Sequence, residues 1–149
     1  MPRALCAALL AAALLAACSR EEPPELPGAC RSAGPAQVRA ALGAAPGSVT
    51  LEGTPLSRCI SGASDSADLQ QVGGVYLAVA TELAPAARAR PEGEEAAQLG
   101  YLIGAVQRGS EGAQGVHYEM LRRLEQEARG LPSRSAAFRT GRRAGRSSG

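Results

Sequence analysis

The chain has 149 residues, enough for one domain with appended segments. It contains no lysine, so all 16 basic residues are arginine, and its formal net charge of +2 favours no particular partner. With no tryptophan, one phenylalanine and three tyrosines, it has few of the aromatic side chains on which nucleic-acid bases stack, so we expect no nucleic-acid partner.

The first eighteen residues, MPRALCAALLAAALLAAC, join a positive charge to an apolar run. Arg3 supplies the charge, and the 14 residues 4–17 are uninterrupted apolar. This length suits the hydrophobic part of a signal peptide and is short of the roughly 20 residues that span a bilayer. The run ends in Leu15-Ala16-Ala17-Cys18. Small residues let an extended backbone enter a peptidase site, and the cysteine thiol can accept a diacylglyceryl group.

This ending resembles the lipobox of bacterial lipoprotein precursors. The resemblance implies that residues 1–17 are a signal peptide and that cleavage leaves Cys18 as the lipid-modified N-terminus. The covalent diacylglyceryl and acyl lipid, such as palmitate, is then the one expected cofactor. Two or more acyl chains anchor a protein stably, so we expect it to be attached to a cell membrane, inner or outer. Since a signal peptide directs export, we expect it on the extracytoplasmic side. The alternative is an ordinary secretory signal whose cleavage site adjoins a cysteine.

The rest of the chain divides by composition into three segments. Residues 18–29 hold the lipidated cysteine and a spacer rich in proline and glutamate, which we expect to be extended. Residues 30–132 contain the apolar periodicity of a helical domain. Residues 133–149 contain five arginines and no acidic residue, and we expect this basic tail to be largely flexible.

Four helices are predicted in the domain. Between the first and the second, a short extended segment at Val49 and Leu51 and a helical turn from Thr54-Pro55 through Cys59 are possible. The first covers about 35–45. The second begins at Asp65 or Ser66 and buries a stripe at three-and-four spacing: Leu69, Val72, Tyr76, Val79 and Leu83. Pro85 is expected to end or kink it.

The third helix is predicted to start at Pro91 and the fourth to cover about 115–129. Gly100 and Gly104, spaced four apart on the third helix, are expected to pack closely on the second helix. On the fourth, Glu125 is expected to pair with Arg129. The predicted fold is therefore all-α, a small up-and-down bundle of about four helices with one disulfide and an N-terminal lipid anchor.

The disulfide is predicted by counting cysteines. Cys6 leaves with the signal peptide and Cys18 carries lipid, so Cys30 and Cys59 remain to pair outside the cytoplasm. Closing a loop of about 30 residues stabilises a fold by roughly 3–4 kcal/mol in the chain-entropy account. A redox role is the alternative, but the sequence has no Cys-x-x-Cys motif.

No catalytic constellation and no metal-ligand set are visible. His117 is the one histidine and is expected to be a partly exposed surface residue. Glu92, Glu94 and Glu95 could in principle act as paired carboxylates, but they are better interpreted as the acidic first turn of a helix. We therefore expect no enzymatic activity.

The basic tail allows two interpretations. Its arginines are either a solvated end or a contact with anionic lipid headgroups or an anionic envelope polymer. The candidate contact residues are Arg139, Arg142, Arg143 and Arg146.

The segment 98–127, QLGYLIGAVQRGSEGAQGVHYEMLRRLEQE, resembles uncharacterised lipoproteins of GC-rich actinobacteria. The resemblance implies a helical fold and carries no activity. The function expected is a non-enzymatic interaction or scaffold module of the cell envelope, with an envelope protein or anionic polymer as partner. The alternative is a lipoprotein that binds a small molecule in a cleft between the second and third helices, near Tyr76 and Tyr101.

Overall fold

A computed structural model describes residues 25–113, 115–132 and 135–149. The predicted signal peptide, Cys18 and Arg134 lie outside these residues. The described part is mostly helical, which confirms the helical prediction, and it contains seven α-helices and one two-stranded antiparallel sheet. Thr50 pairs with Pro55 and Leu51 with Thr54 in that sheet.

The elements follow one another along the chain in this order. They are α1 (Gly28–Ser32), α2 (Pro35–Ala41), a 3-10 turn (Leu42–Ala44), β1 (Thr50–Leu51), β2 (Thr54–Pro55), α3 (Leu56–Ser61), α4 (Ser66–Ala89), α5 (Glu94–Gly109), α6 (Val116–Glu127) and α7 (Ala136–Ser148).

Helix α5 lies at the centre of the molecule. Every residue from Ala96 to Val106 is buried, as expected of a helix that has neighbours on all sides. Helices α3, α4 and α7 all pack on it. The predicted apolar stripe of α4 is confirmed, because all five of its residues are buried: Leu69, Val72, Tyr76, Val79 and Leu83.

Helix α4 begins as predicted but ends later. The Asp65 side chain accepts a hydrogen bond from the Asp68 backbone N–H at 2.8 Å, which caps the helix. Pro85 does not end the helix, because α4 continues to Ala89, which leaves the kink as the remaining part of that prediction. Pro85 is exposed, so the Thr81 carbonyl that loses its helical partner can bond water.

The third predicted helix starts at Glu94 rather than at Pro91. The two residues that were expected to open it contact α7 instead. The Ser135 hydroxyl donates to the Pro91 carbonyl oxygen at 2.6 Å, and the Glu92 carboxylate accepts from the backbone N–H of Ala136 at 3.0 Å. These bonds hold the segment as a turn before α5.

The predicted disulfide between Cys30 and Cys59 is confirmed. It joins α1 to α3 across a Cα–Cα distance of 5.3 Å, and both cysteines are buried. Leu26 packs in the same core with 2% of its surface exposed. The folded body therefore begins within the segment that was predicted to be spacer.

The end of the chain differs from the predicted flexible tail. Residues 136–148 form helix α7, which packs along α5, so the folded body does not stop at residue 132. Gly141 and Gly145 are buried on α5, and a Cβ on either would overlap a backbone carbonyl oxygen of α5. Hydrophobic periodicity cannot reveal such a contact, because the buried residues are glycines.

Gly100 and Gly104 pack on α7, so the prediction that they pack on α4 is wrong. A Cβ on Gly100 would overlap the Phe138 carbonyl oxygen, and one on Gly104 would overlap that of Arg142. Gly141 faces Ala97 and Gly145 faces Tyr101, so residue numbers rise together along both helices. Helices α5 and α7 are therefore parallel and touch through two Gly-x-x-x-Gly pairs.

Candidate functional site

One face of α7 is an arginine face, formed by Arg139, Arg142, Arg143 and Arg146. The spacing of three, four and seven residues places all four on one side of the helix, away from the glycines that contact α5. Together with Glu111 and Ser147 they line an open groove of about 470 Å³. The structure thus brings all four predicted contact residues together.

The arginine face is held by hydrogen bonds at both ends of α7. At the start, Glu92 accepts from Ala136 and Ala137, and the Ser135 hydroxyl accepts from the Phe138 N–H at 3.0 Å. At the end, the Arg108 guanidinium donates to the carbonyl oxygens of Arg146 and Ser147. The helix therefore presents its arginines from a fixed scaffold.

Most of the positive charge on this face is not neutralised by the protein. Arg142 pairs with Glu125 of α6 at 2.9 Å, in place of the predicted pair between Glu125 and Arg129. Among the described residues, Arg139, Arg143 and Arg146 make no ion pair, and all three are exposed. Like charges three and four residues apart repel one another, so an anion at this face would be stabilising.

A second surface, the apolar groove, lies between α4 and α6. It has a volume of about 500 Å³ and is lined by Leu69, Gln70, Gly73, Gly74, Leu77, Val116, Glu119, Met120 and Arg123. Gly73 makes this crossing close, since a Cβ there would lie 2.8 Å from the Met120 sulfur. Sequence reasoning missed the groove, although a glycine within the buried stripe of α4 was a signal that a neighbour lies close.

The rim of the apolar groove combines an exposed apolar side chain with fixed charges. Val116, which lines the groove, is 57% exposed. Tyr118 is 68% exposed but is not among the residues that line the groove. Glu119 accepts hydrogen bonds from Arg122 at 2.8 Å and Arg123 at 3.0 Å. These hydrogen bonds lower the pKa of Glu119 to about 2, so its charge persists over the whole physiological range.

The two tyrosines proposed for a ligand cleft lie in the core. Tyr76 is 1% exposed and Tyr101 0%. The Tyr76 hydroxyl donates to the Leu56 carbonyl oxygen at 3.0 Å, and the Tyr101 hydroxyl accepts from the Val49 N–H at 3.2 Å. Burial raises the pKa of Tyr76 above its ordinary value. Both hydroxyl groups therefore hold backbone in place.

The other chemistry-bearing residues are dispersed. His117 lies half-buried at the start of α6, and Glu95 pairs with Arg90 at 2.9 Å. Within residues 25–113, 115–132 and 135–149, no three His, Cys, Asp or Glu side chains are grouped so that they could hold a metal ion. In the same ranges, no helix is both long and apolar enough to cross a membrane.

Comparison with protein-family models gives no match to this chain, and neither do comparisons with curated proteins and with solved structures. The resemblances of the Leu15–Cys18 segment and of residues 98–127 to bacterial lipoproteins therefore stay predictions.

Proposed function

We propose that this chain is the precursor of a lipoprotein, exported and anchored through lipid on Cys18, whose mature part is a non-enzymatic interaction module of the cell envelope. Export and anchoring are inferred from the first eighteen residues, and the interaction role is inferred from the folded body. The two inferences are supported and tested separately.

Export and anchoring are supported by the charge, length and ending of the apolar run, and by the disulfide. Cysteines pair stably in oxidising compartments and are kept reduced in the cytosol of most organisms. A buried Cys30–Cys59 bond is thus what an exported domain would contain. The anchored form presents the body on the extracytoplasmic side.

The interaction role is carried by one observation, the apolar groove with Val116 exposed at its rim. Exposed apolar side chains next to an open groove are typical of surfaces that bind another protein. The envelope partner expected here is a protein that inserts apolar side chains between α4 and α6 and places an acidic group near Arg123.

Site-specific photocrosslinking in the native membrane tests the interaction role. A photoreactive residue replacing Val116 should give a discrete crosslinked species, whereas the same residue replacing Glu82, exposed on α4 outside the groove, should give none. Leu77→Glu should abolish the Val116 product by placing a charge in the groove. Equal crosslinking from both positions, or a Val116 product that survives Leu77→Glu, would contradict the proposal.

Two mass measurements test export and anchoring. Intact mass of the protein from its native membrane should show a chain that begins at Cys18 and carries acyl groups, and Cys18→Ala should remain unprocessed. Peptide mapping without reductant should recover Cys30 joined to Cys59. A soluble chain beginning elsewhere would refute the anchor. Free thiols at both cysteines would show that the disulfide is absent, which would remove its support for an extracytoplasmic location.

A further inference from the structure

We infer that the arginine face of α7 binds the phosphate groups of anionic membrane lipids and so turns one side of the anchored domain towards the bilayer. This inference rests on the proposed function, because it takes the lipid on Cys18 as the point of attachment. Three features support it: the charge on the face, the position of the face relative to the tether, and the reach of that tether.

The charge on the face is suited to several phosphates rather than to one. The four guanidinium groups are spread over eight residues of α7, seven steps that give a rise of about 10 Å along the helix. Three are exposed and unpaired among the described residues. Arginine binds phosphate through two parallel hydrogen bonds, and an open row of arginines fits a surface that carries many phosphates.

The face ends close to where the tether joins the body. The Ser57 hydroxyl donates to the Gly149 carbonyl oxygen, so α7 ends beside the first turn of α3. At the other end of α3, a Cβ on Gly62 would lie 3.1 Å from the Glu25 carbonyl oxygen. Helix α3 has 6 residues and is about 9 Å long, so its two ends place the arginine helix near the start of the body.

The tether is too short to carry the body far from the membrane. Cys18 to Glu25 comprises 8 residues, which span at most about 28 Å. A tether of this length makes contact between body and membrane an intramolecular event with a high effective concentration. Of the surfaces described here, the arginine face is the one whose charge is opposite to that of an anionic bilayer.

Chemical modification of arginine tests the inference on the processed protein. Protein purified from its native membrane is placed in phosphatidylcholine vesicles with or without phosphatidylglycerol, treated with an arginine-specific dicarbonyl reagent, and mapped by mass spectrometry. Modification of the four arginines of the face should be about fivefold slower in the anionic vesicles. Three exposed arginines are the internal control and should react equally in both: Arg122 and Arg123 of α6, and Arg129 just after it.

Salt and matched variants separate a specific face from general attraction. Protection should disappear at high salt, where charges are screened. In R139Q/R143Q/R146Q, the remaining Arg142 should lose its protection in anionic vesicles. In R122Q/R123Q/R129Q, which removes the same charge from α6 and the turn that follows it, Arg142 should keep its protection.

Three outcomes would overturn the inference. One is equal modification of the α7 arginines in both vesicle types, and another is equal protection of the α6 control. The third is protection by a soluble polyanion such as polyphosphate but not by anionic vesicles, which would assign the face to a polymer. Intact mass distinguishes failure of the anchor: an unacylated protein refutes the proposed function, and its response to added anionic vesicles still decides the role of the face.

Discussion

The two sides of α5 are packed in different ways. Helix α4 packs on α5, and its buried stripe consists of large side chains such as Tyr76 and Leu83. Towards α7, four glycines bring backbone against backbone, with almost no side chain between. Packing by side chains is stable because large side chains fill the space between helices. Backbone contact is possible only because the glycines have no Cβ. We therefore expect removed atoms to destabilise the α4 side and added atoms to destabilise the α7 side.

The largest effect is expected from adding atoms between α5 and α7. In Gly104→Ala/Gly141→Ala, each new Cβ would overlap a backbone carbonyl oxygen that cannot move independently of its helix. We expect the free energy of unfolding to fall by about 4 kcal/mol, measured by chemical denaturation. The matched control is Gly74→Ala, where a Cβ meets nothing within 4 Å and helix propensity should add up to about 1 kcal/mol. A double variant as stable as the parent would show that the helices are not in backbone contact.

Removing atoms should matter on the other side. Leu83 is 1% exposed, and Leu83→Ala should lower the free energy of unfolding by about 3 kcal/mol through lost burial and a cavity. Leu83→Met, which conserves volume, should cost about 1 kcal/mol. Denaturant midpoints of the two variants give the comparison. If both variants were equally damaging, packing on the α4 side would depend on shape as strictly as packing on the α7 side.

A smaller effect is expected where hydrogen bonds rather than volume hold α7. Glu92→Ala removes the carboxylate that accepts from Ala136 and Ala137, and should destabilise the start of α7 by about 1 kcal/mol. Amide hydrogen exchange should accelerate in the first turn of α7 and not in α4. Glu82→Ala, at an exposed position on α4, is the control and should change neither. Unchanged exchange at Ala136 and Ala137 would argue against the cap.

The smallest effect concerns a contact at the surface, where neither volume nor burial contributes. The pKa of Glu119 is lowered to about 2, so its ion pairs contribute stability above the ordinary carboxyl pKa and lose it as pH falls towards 2. A pH titration of the Glu119 carboxyl carbon by NMR should show this midpoint. In Arg122→Gln/Arg123→Gln the midpoint should return towards 4.5, the ordinary value. A midpoint near 4.5 in the parent protein would contradict the pairing.

This contrast also explains which parts of the fold could be predicted from sequence. The stripe of α4 is visible in the sequence as a local periodicity, and the cap at Asp65 as a residue type preferred at that position. Both predictions are confirmed. The segment that forms α7 is rich in glycine and arginine, a composition that usually indicates a solvated tail, so its packing gives no apolar signal in the sequence. The one available signal was that Gly141 and Gly145 repeat the spacing of Gly100 and Gly104.

The candidate site also has parts that could be predicted from the sequence and parts that could not. The arginines could be named from charge alone, but their alignment on one face requires α7 to be a helix. The apolar groove could not be located, because it depends on how closely Met120 approaches Gly73 across two helices distant in sequence. Glu92 was assigned to the first turn of α5, since no local pattern links it to residues 136–137, more than forty positions further on.

If the chain is anchored at its N-terminal end, as proposed, the disulfide has a mechanical consequence. A pull transmitted along the chain reaches Leu26 and then Cys30, where the sulfur–sulfur bond passes it directly to Cys59 in α3. Residues 31–58, which the bond encloses, are thereby shielded from the tension. Helix α3 packs on α5, so the force enters the molecule at its most deeply buried helix rather than peeling α1 and α2 away in sequence.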